Sequence, residues 1–138
     1  MGGSGLGHVG VRLKGFTLDT GALIALERQD ERMLALLKPA LDQPEAILNI
    51  PAGVLTQAFR DGARQARLMR LLGLAQTKIV GLDARTAFAA GLLLGKRDHT
   101  DAVDASVVVC ARVNRQSVVT SDPEDLQRLD PGLRLEVL

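Results

Sequence analysis

Short apolar runs alternate along this chain with longer segments in which apolar residues recur every three or four positions. The short runs predict β-strands, and the longer amphipathic segments predict α-helices. The predicted strands cover residues 16–19, 46–50, 78–82, 117–120 and, at the edge of the sheet, 133–137. The predicted helices cover residues 20–28, 30–41, 51–61, 63–72, 84–94, 101–112 and 123–129.

This alternation predicts an α/β fold, in which a mainly parallel sheet of four to five strands is covered by helices on both faces. The 138 residues suffice for one domain with a real core, which we place at residues 16–138. Residues 1–15 are rich in glycine and are expected to form a flexible leader. Gly5, Gly7 and Gly10 match the letters of a dinucleotide-binding fingerprint, but that motif requires a preceding strand.

The predicted helix at 101–112 is the most apolar one, and two acids stand at its start. Asp101 and Asp104 are three residues apart, so they share one face of the helix. A helix that is apolar all round is normally buried, and a buried carboxylate is costly unless something satisfies it. Asp19 ends the first strand and Asp122 follows the fourth. Because ligands of parallel sheets bind outside the carboxyl ends of the strands, we expect the four carboxylates to meet there.

Each acid also has an ordinary explanation as part of a helix cap. Asp19, Asp101 and Asp122 precede predicted helices, and Asp104 stands where a capping box would place it. Like charges gathered at one sheet edge repel, however, and a bound divalent cation would remove that cost. Mg²⁺ and Mn²⁺ take hard oxygen ligands, so this convergence indicates a site for Mg²⁺ (or Mn²⁺).

The overall charge does not indicate a nucleic-acid-binding protein, since the net charge is only +1, with 17 basic and 16 acidic residues. Most of the basic residues are arginines, which suit bidentate phosphate contacts. Arg60, Arg64, Arg67 and Arg70 fall three or four apart. If Gly62 does not break the helix, they form one basic stripe, either a phosphate track or a solvated helix face.

The remaining reactive side chains exclude other kinds of site. His8 and His99 are expected to be exposed to solvent, and without a Cys/His cluster no zinc site is expected. The single Cys110 excludes an internal disulfide and is expected to be an inert core thiol. Neither a signal peptide nor an apolar run long enough for a membrane helix is present, so we expect a cytoplasmic protein with no membrane partner.

Three ordered fragments resemble a known family. They are Leu18-Asp19-Thr20, Val103-Asp104-Ala105 and Val119-Thr120-Ser121-Asp122-Pro123, which are similar to motifs of the PIN domain and most of all of the VapC-type toxins of bacterial toxin–antitoxin pairs. The resemblance covers residues 16–138 and implies a PIN-like three-layer α/β/α sandwich. It also implies a Mg²⁺- or Mn²⁺-dependent endoribonuclease that is usually a homodimer and is held inactive by a cognate antitoxin.

By this resemblance, Asp19 and Asp104 are the main metal ligands, Asp122 is a further acid and Asp101 is a supporting one. Gln57 departs from the family pattern, which usually has Glu at this point. An amide oxygen can touch a cation, but it brings no charge and cannot act as a base. Asp61 lies one turn further along the predicted helix and would partly compensate if it pointed inward.

Two alternative hypotheses stay open. Gln57 motivates the first, a PIN-fold binding module with weak or no catalysis, which metal-dependent cleavage of RNA would separate from a ribonuclease. The second is a phosphoacceptor domain of the receiver type, since Asp83 follows the third strand. That chemistry also requires a lysine at the end of a late strand, and the last lysine of the chain is Lys96.

Overall fold

The computed structural model of the protein describes residues 15–138. The predicted leader and its glycine motif therefore lie outside the described residues, except for Gly15, with which the first strand begins. The strands are β1 (Gly15–Leu18), β2 (Ile47–Pro51), β3 (Thr77–Val80), β4 (Ser117–Thr120) and β5 (Leu135–Val137). The helices are α1 (Thr20–Glu27), α2 (Glu31–Leu41), α3 (Ala52–Ala58), α4 (Ala66–Leu72), α5 (Ala84–Arg97), α6 (Ala102–Asn114) and α7 (Pro123–Leu129).

The five strands form one parallel sheet in the order β3-β2-β1-β4-β5. Helices cover it, so the predicted α/β class is confirmed, and the architecture is a PIN-like three-layer α/β/α sandwich. Leu18 pairs with Val119 and Thr17 pairs with Asn49. The central strands therefore end side by side, at what we call the carboxyl edge of the sheet.

Two helices position the ends of these strands. The α6 helix packs on β1 and β2 and buries most of its middle, from Ala105 to Ala111, with Val107 and Val108 fully enclosed. The α1 helix contacts β4, α2, α3 and α4, and buries Ala22 and Leu23. Burial of these apolar side chains is the main stabilising contribution at both positions. The two helices start close to the carboxyl edge, and this brings their first residues together.

The helix predicted at 51–61 is shorter in the structure. It ends at Ala58, and Phe59 has extended backbone with ψ 134°. The side chain of Gln65 accepts hydrogen bonds from the backbone N–H groups of Arg60 and Asp61 and donates one to the carbonyl of Ala58. One side chain thus replaces the next helical turn, which periodicity alone does not reveal.

None of the helices within residues 15–138 combines the length and the apolar character that a bilayer crossing needs.

Candidate metal site

Asp19 occupies the centre of the carboxyl edge. Its backbone N–H donates to the carbonyl of Val119 (3.1 Å), which ties the end of β1 to β4. Its Oδ1 accepts from the backbone N–H of Thr20 (2.7 Å), and its Oδ2 accepts from the hydroxyl of Thr120 (2.9 Å). The residue is only 7% exposed. Asp19 therefore caps α1, as the ordinary explanation predicted, and also turns its carboxylate to the sheet edge.

The pKa of Asp19 is raised above its usual value in these surroundings. Burial raises the pKa because the charged form loses water, and the nearby carboxylate of Asp101 raises it further. The hydrogen bonds from Thr20 and Thr120 act in the opposite direction, since they stabilise the charged form. Asp19 and Asp101 are far apart in sequence, but their charges interact in the fold.

Asp101 and Asp104 open α6, as predicted. The backbone N–H of Asp104 donates to Oδ1 of Asp101 (3.0 Å), so Asp101 is the N-cap of the helix. The reciprocal bond of a capping box is not made, because the backbone N–H of Asp101 donates to Nδ1 of His99 (3.2 Å). The carboxylate of Asp104 is consequently available to the carboxyl edge.

Among the described residues, Asp104 has the most strongly shifted carboxyl pKa. Its pKa is raised from 3.8 to about 7, first by burial and then by the charges of Asp101, Asp19, Asp125 and Asp122. All four of these groups are carboxylates, so Asp104 lies in a negative field that disfavours its own ionisation. The charges of Asp19 and Asp122, which belong to other segments of the chain, therefore act on Asp104 in the fold, and their joint role as a site stays a prediction.

Asp122 reaches the site through the end of β4. Its backbone N–H donates to the hydroxyl of Thr120 (2.9 Å), but its side chain makes no capping hydrogen bond to α7. The pKa of Asp122 is raised by loss of hydration and by the adjacent carboxyl of Asp125. The ordinary capping explanation therefore does not account for the Asp122 side chain.

Gln57 lies beside the acids on α3. Its Oε1 accepts a hydrogen bond from the hydroxyl of Thr20 (2.5 Å), the residue next to Asp19. Asp61, the predicted substitute acid, does not join it. Asp61 accepts from the backbone N–H of Ala63 (3.0 Å) and faces Arg64 in the connection after α3. The prediction that Asp61 compensates for Gln57 is wrong because the helix ends before reaching it.

Two glycines allow the close helix approaches at this edge. A Cβ on Gly21 would lie 2.0 Å from the Ser121 hydroxyl oxygen, so α1 could not sit against the end of β4 with a larger residue. A Cβ on Gly53 would lie 3.1 Å from a methyl group of Val103, where α3 approaches α6. Both glycines thus help to gather the acids.

The predicted arginine stripe is wrong as a single helical face. Arg60 donates to the backbone carbonyls of Thr56 (3.0 Å) and Phe59 (2.7 Å) beyond the end of α3. Arg64 is 88% exposed in the connecting segment, whereas Arg67 lies on α4 and pairs with Glu27 (3.6 Å). The break between α3 and α4 separates these side chains.

The exposure predicted for His99 is also wrong. Its side chain is only 7% exposed, and its Nε2 lies 4.0 Å from Oδ2 of Asp104. The predicted core position of Cys110 is confirmed, since this thiol is buried and burial raises its pKa.

Three contributors to the edge were not singled out from the sequence: His99, Thr120 and Asp125. The hydroxyl at the end of the Val118-Val119-Thr120 run was the one available sequence signal.

The ligand atoms available at the carboxyl edge are chemically suited to a hard divalent cation. The side chains at the edge offer carboxylate oxygens, which are hard ligands, and burial together with the neighbouring acid charges raises the pKa of Asp104. Within residues 15–138, no three His, Cys, Asp or Glu side chains stand close enough together to enclose an ion as they are placed. The carboxylates that would hold the cation are therefore few, which suits Mg²⁺ because this ion usually keeps several water ligands.

The fold of the described residues is that of a PIN-like domain. No protein-family model and no curated protein sequence matches the chain. Solved structures do match its fold. VapBC2 from Rickettsia felis, bound to a DNA fragment from its promoter, aligns with a TM-score of 0.67 over 89% of this chain and 98% of that chain, at 18% identity.

Two further structures extend this likeness. A toxin–antitoxin complex from Klebsiella pneumoniae has a TM-score of 0.63 over 80% of this chain and 89% of that chain, at 17% identity. PAE2754 from Pyrobaculum aerophilum has a TM-score of 0.58 over 90% of this chain and 84% of that chain, at 18% identity. At such identities the likeness is one of fold. The resemblance to the VapC-type PIN fold is confirmed at that level.

Proposed function

We propose that this protein is a Mg²⁺- or Mn²⁺-dependent endoribonuclease and the toxin component of a toxin–antitoxin pair. The observation that carries the proposal is the placement of Asp19, Asp101, Asp104 and Asp122 at the carboxyl edge, where burial and then the charges of the other acids raise the pKa of Asp104 to about 7. A fold gains nothing from such repulsion by itself. A bound divalent cation turns it into an attractive interaction.

In this proposal Asp19, Asp104 and Asp122 hold the cation, and Asp101 supports them by capping α6. A cation held by these residues would supply positive charge to an RNA phosphate and would make a bound water molecule more acidic. Thr120 orients the site because its hydroxyl donates to Asp19 and accepts from the backbone N–H of Asp122.

The RNA backbone is proposed to contact arginines beyond α3. Arg64 suits this role best, since it is 88% exposed and forms only a long ion pair with Asp61 (3.7 Å). Arg60 is exposed as well, although its guanidinium already donates to backbone carbonyls. Arg67 stays in the proposal as a weaker contributor because it pairs with Glu27.

The test is RNA cleavage by the purified protein with Mg²⁺, with Mn²⁺ and with a chelator. Asp19→Asn and Asp104→Asn are each expected to abolish metal-dependent cleavage without unfolding the protein. Asp83→Asn is the matched control, because Asp83 is an exposed cap of α5 and asparagine caps equally well. Cleavage that survives Asp104→Asn, or needs no metal, would contradict the proposal.

A catalytically weak or inactive PIN-fold binding module is the second candidate. Two observations favour it: Gln57 supplies a neutral oxygen, and no enclosed three-ligand group exists among the described residues. Such a module would bind RNA or a protein partner while the acids only adjusted its affinity. Absence of cleavage with either cation, together with retained RNA binding, would favour it over the ribonuclease.

We propose that an antitoxin binds in an apolar groove between α1, α2 and α4. The groove has a volume of about 590 Å³ and is lined by Leu26, Leu34, Leu37, Leu41, Leu71 and Leu74, with Lys38, Arg67 and Arg70 among its polar lining. Leucines flanked by basic groups suit an amphipathic segment that carries acidic residues. We also propose that the complex acts in the cytoplasm.

A homodimer is proposed through a different surface. Phe88 and Leu92 lie one turn apart on α5 and are 76% and 75% exposed, and Val113 on α6 is 75% exposed. Val113 and Leu82 line one small hollow. Large apolar side chains gathered on a surface mark association sites, and this surface would be covered by a second copy of the chain.

A further inference from the structure

His99 has a buried polar side-chain atom, Nε2, beside the acids of the carboxyl edge. Its side chain is 93% buried, since 7% is exposed. Within residues 15–138, the buried Nε2 makes no hydrogen bond. A buried donor without a partner has lost its hydrogen bonds to water and gained none in the fold. Such groups call for an explanation, and a ligand-dependent partner is one.

The ring orientation fixes what Nε2 can do. Nδ1 of His99 accepts a hydrogen bond from the backbone N–H of Asp101 (3.2 Å), so Nδ1 carries a lone pair. In the neutral ring, the proton then resides on Nε2. Nε2 is therefore a hydrogen-bond donor. It is not a cation ligand, because ligation would need a lone pair at the same position.

The donor is directed at the carboxylate cluster. Nε2 lies 4.0 Å from Oδ2 of Asp104, which is longer than the roughly 2.7–3.2 Å of an N–H···O hydrogen bond. Asp101 holds both partners: its N–H donates to the ring, and its Oδ1 accepts from the backbone N–H of Asp104. A shift of about 1 Å would close the gap to a normal hydrogen bond.

We propose that His99 is a positioning residue whose Nε2–H donates to the carboxylate of Asp104 when a divalent cation occupies the edge. The donor would fix the orientation of Asp104, as outer partners of ligands do in metal sites. The inference rests on the proposed function, since it needs a cation at these acids. It adds a residue that neither the motif fragments nor the acid pattern include.

Two amide substitutions separate this role from a structural one. Glutamine places its amide nitrogen near the Nε2 position, so His99→Gln keeps a donor towards Asp104. Asparagine reaches only the Nδ1 position, so His99→Asn keeps a partner for the backbone N–H of Asp101. Mn²⁺ affinity of the full chain is measured by titration of free Mn²⁺, and melting curves are recorded with and without Mn²⁺.

The expected result is a loss of Mn²⁺ affinity of about 10- to 100-fold in His99→Asn. His99→Gln is expected to stay within about threefold of the wild type, because outer-partner effects need the donor and not the ring. In an Asp104→Asn background, His99→Asn should change the remaining affinity little, because the two residues act as one unit.

Mn²⁺ binding that is unchanged in His99→Asn, whether or not His99→Gln binds more weakly, overturns the inference and leaves the proposed function standing. If the wild type itself binds no Mn²⁺, the proposed function fails and the inference falls with it. Should His99→Asn fail to fold, the Mn²⁺-induced rise in melting temperature of His99→Gln decides, and its loss overturns the inference.

Discussion

The hydroxyl of Thr120 donates a 2.9 Å hydrogen bond to Oδ2 of Asp19, and both residues are almost completely buried. The same hydroxyl oxygen accepts from the backbone N–H of Asp122. One threonine at the end of β4 thus joins two acids that stand 103 residues apart in the chain. This bond also favours the charged form of Asp19, because it lowers the pKa that burial raises.

Thr120→Val removes this bond while keeping the shape of the side chain. We expect the free energy of unfolding to fall by about 1–3 kcal/mol at pH 8, where Asp19 would be charged and short of a donor. The loss should shrink towards pH 4, since protonation removes the buried charge. Urea unfolding at both pH values measures it. Thr56→Val on the exposed face of α3 is the control, and an equal pH dependence there would contradict the explanation.

Asp104 gives a pH prediction for the metal-free protein. Folding raises its pKa from 3.8 to about 7, so the stability linked to its proton is complete below pH 3.8 and is lost as the pH rises through about 7. Asp104→Asn has no such proton. Its free energy of unfolding, relative to wild type, should therefore increase between pH 4 and pH 8, by on the order of 1–2 kcal/mol after solvent screening.

The measurement is a series of denaturant titrations with and without Mn²⁺. Mn²⁺ should stabilise the wild type at pH 8 and stabilise Asp104→Asn much less, because the ion replaces the proton as the compensating charge. Parallel pH dependence of the two proteins would show that Asp104 does not feel the other acids.

Gln57→Glu tests the point where this chain departs from the family pattern. Gln57 contacts Thr20, the neighbour of Asp19, so a carboxylate there would add negative charge beside the acids. We expect tighter binding of Mg²⁺ or Mn²⁺ and faster RNA cleavage. Without metal we expect a modest loss of stability, on the order of 1 kcal/mol or less, because one more like charge joins the site.

The control for Gln57→Glu is Gln43→Glu, which adds the same charge just before β2, at the amino end of the strands. Cleavage rates and melting curves with and without metal are compared for both variants. If Gln57→Glu behaves like Gln43→Glu in all of them, residue 57 does not act at the metal site.

Arg64 and Arg67 are predicted to behave differently in RNA binding. Arg64→Gln should weaken binding and reduce the salt dependence by about one phosphate contact, since this side chain is almost fully exposed. Arg67→Gln should mainly lose its ion pair with Glu27, at a cost of about 0.2–1 kcal/mol in stability. Binding is titrated at several salt concentrations, and equal salt slopes for Arg64→Gln and the wild type would remove Arg64 from the proposed interface.

Leu92→Arg tests the proposed dimer surface. Leu92 is 75% exposed on α5, so the substitution should leave the fold intact and place a charge in the apolar contact. We expect the dimer dissociation constant to rise about 100-fold or more, which corresponds to about 2.7 kcal/mol. Analytical ultracentrifugation measures it, with Leu34→Arg in the separate groove as control. A wild type that is monomeric at high concentration would refute the proposal.

Periodicity in the sequence predicted the elements that have their own strong pattern. The α6 helix and β4 are apolar enough that burial dictates them, and β1 follows from the apolar run that Asp19 ends. Periodicity failed between residues 59 and 65. There Gln65 satisfies the backbone of Arg60 and Asp61 through its side chain, and a hydrogen bond of that kind leaves no trace in the spacing of apolar residues.

The sequence by itself determined the α/β class, because hydrophobic spacing is a local property that burial converts directly into layers. It also named four acids as candidates for one site. It could not decide how those acids interact. The raised pKa of Asp104, the link from Thr120 to Asp19 and the buried Nε2 of His99 depend on distances between segments remote in the chain. Only tertiary packing sets those distances, and Coulomb and hydrogen-bond energies depend steeply on them.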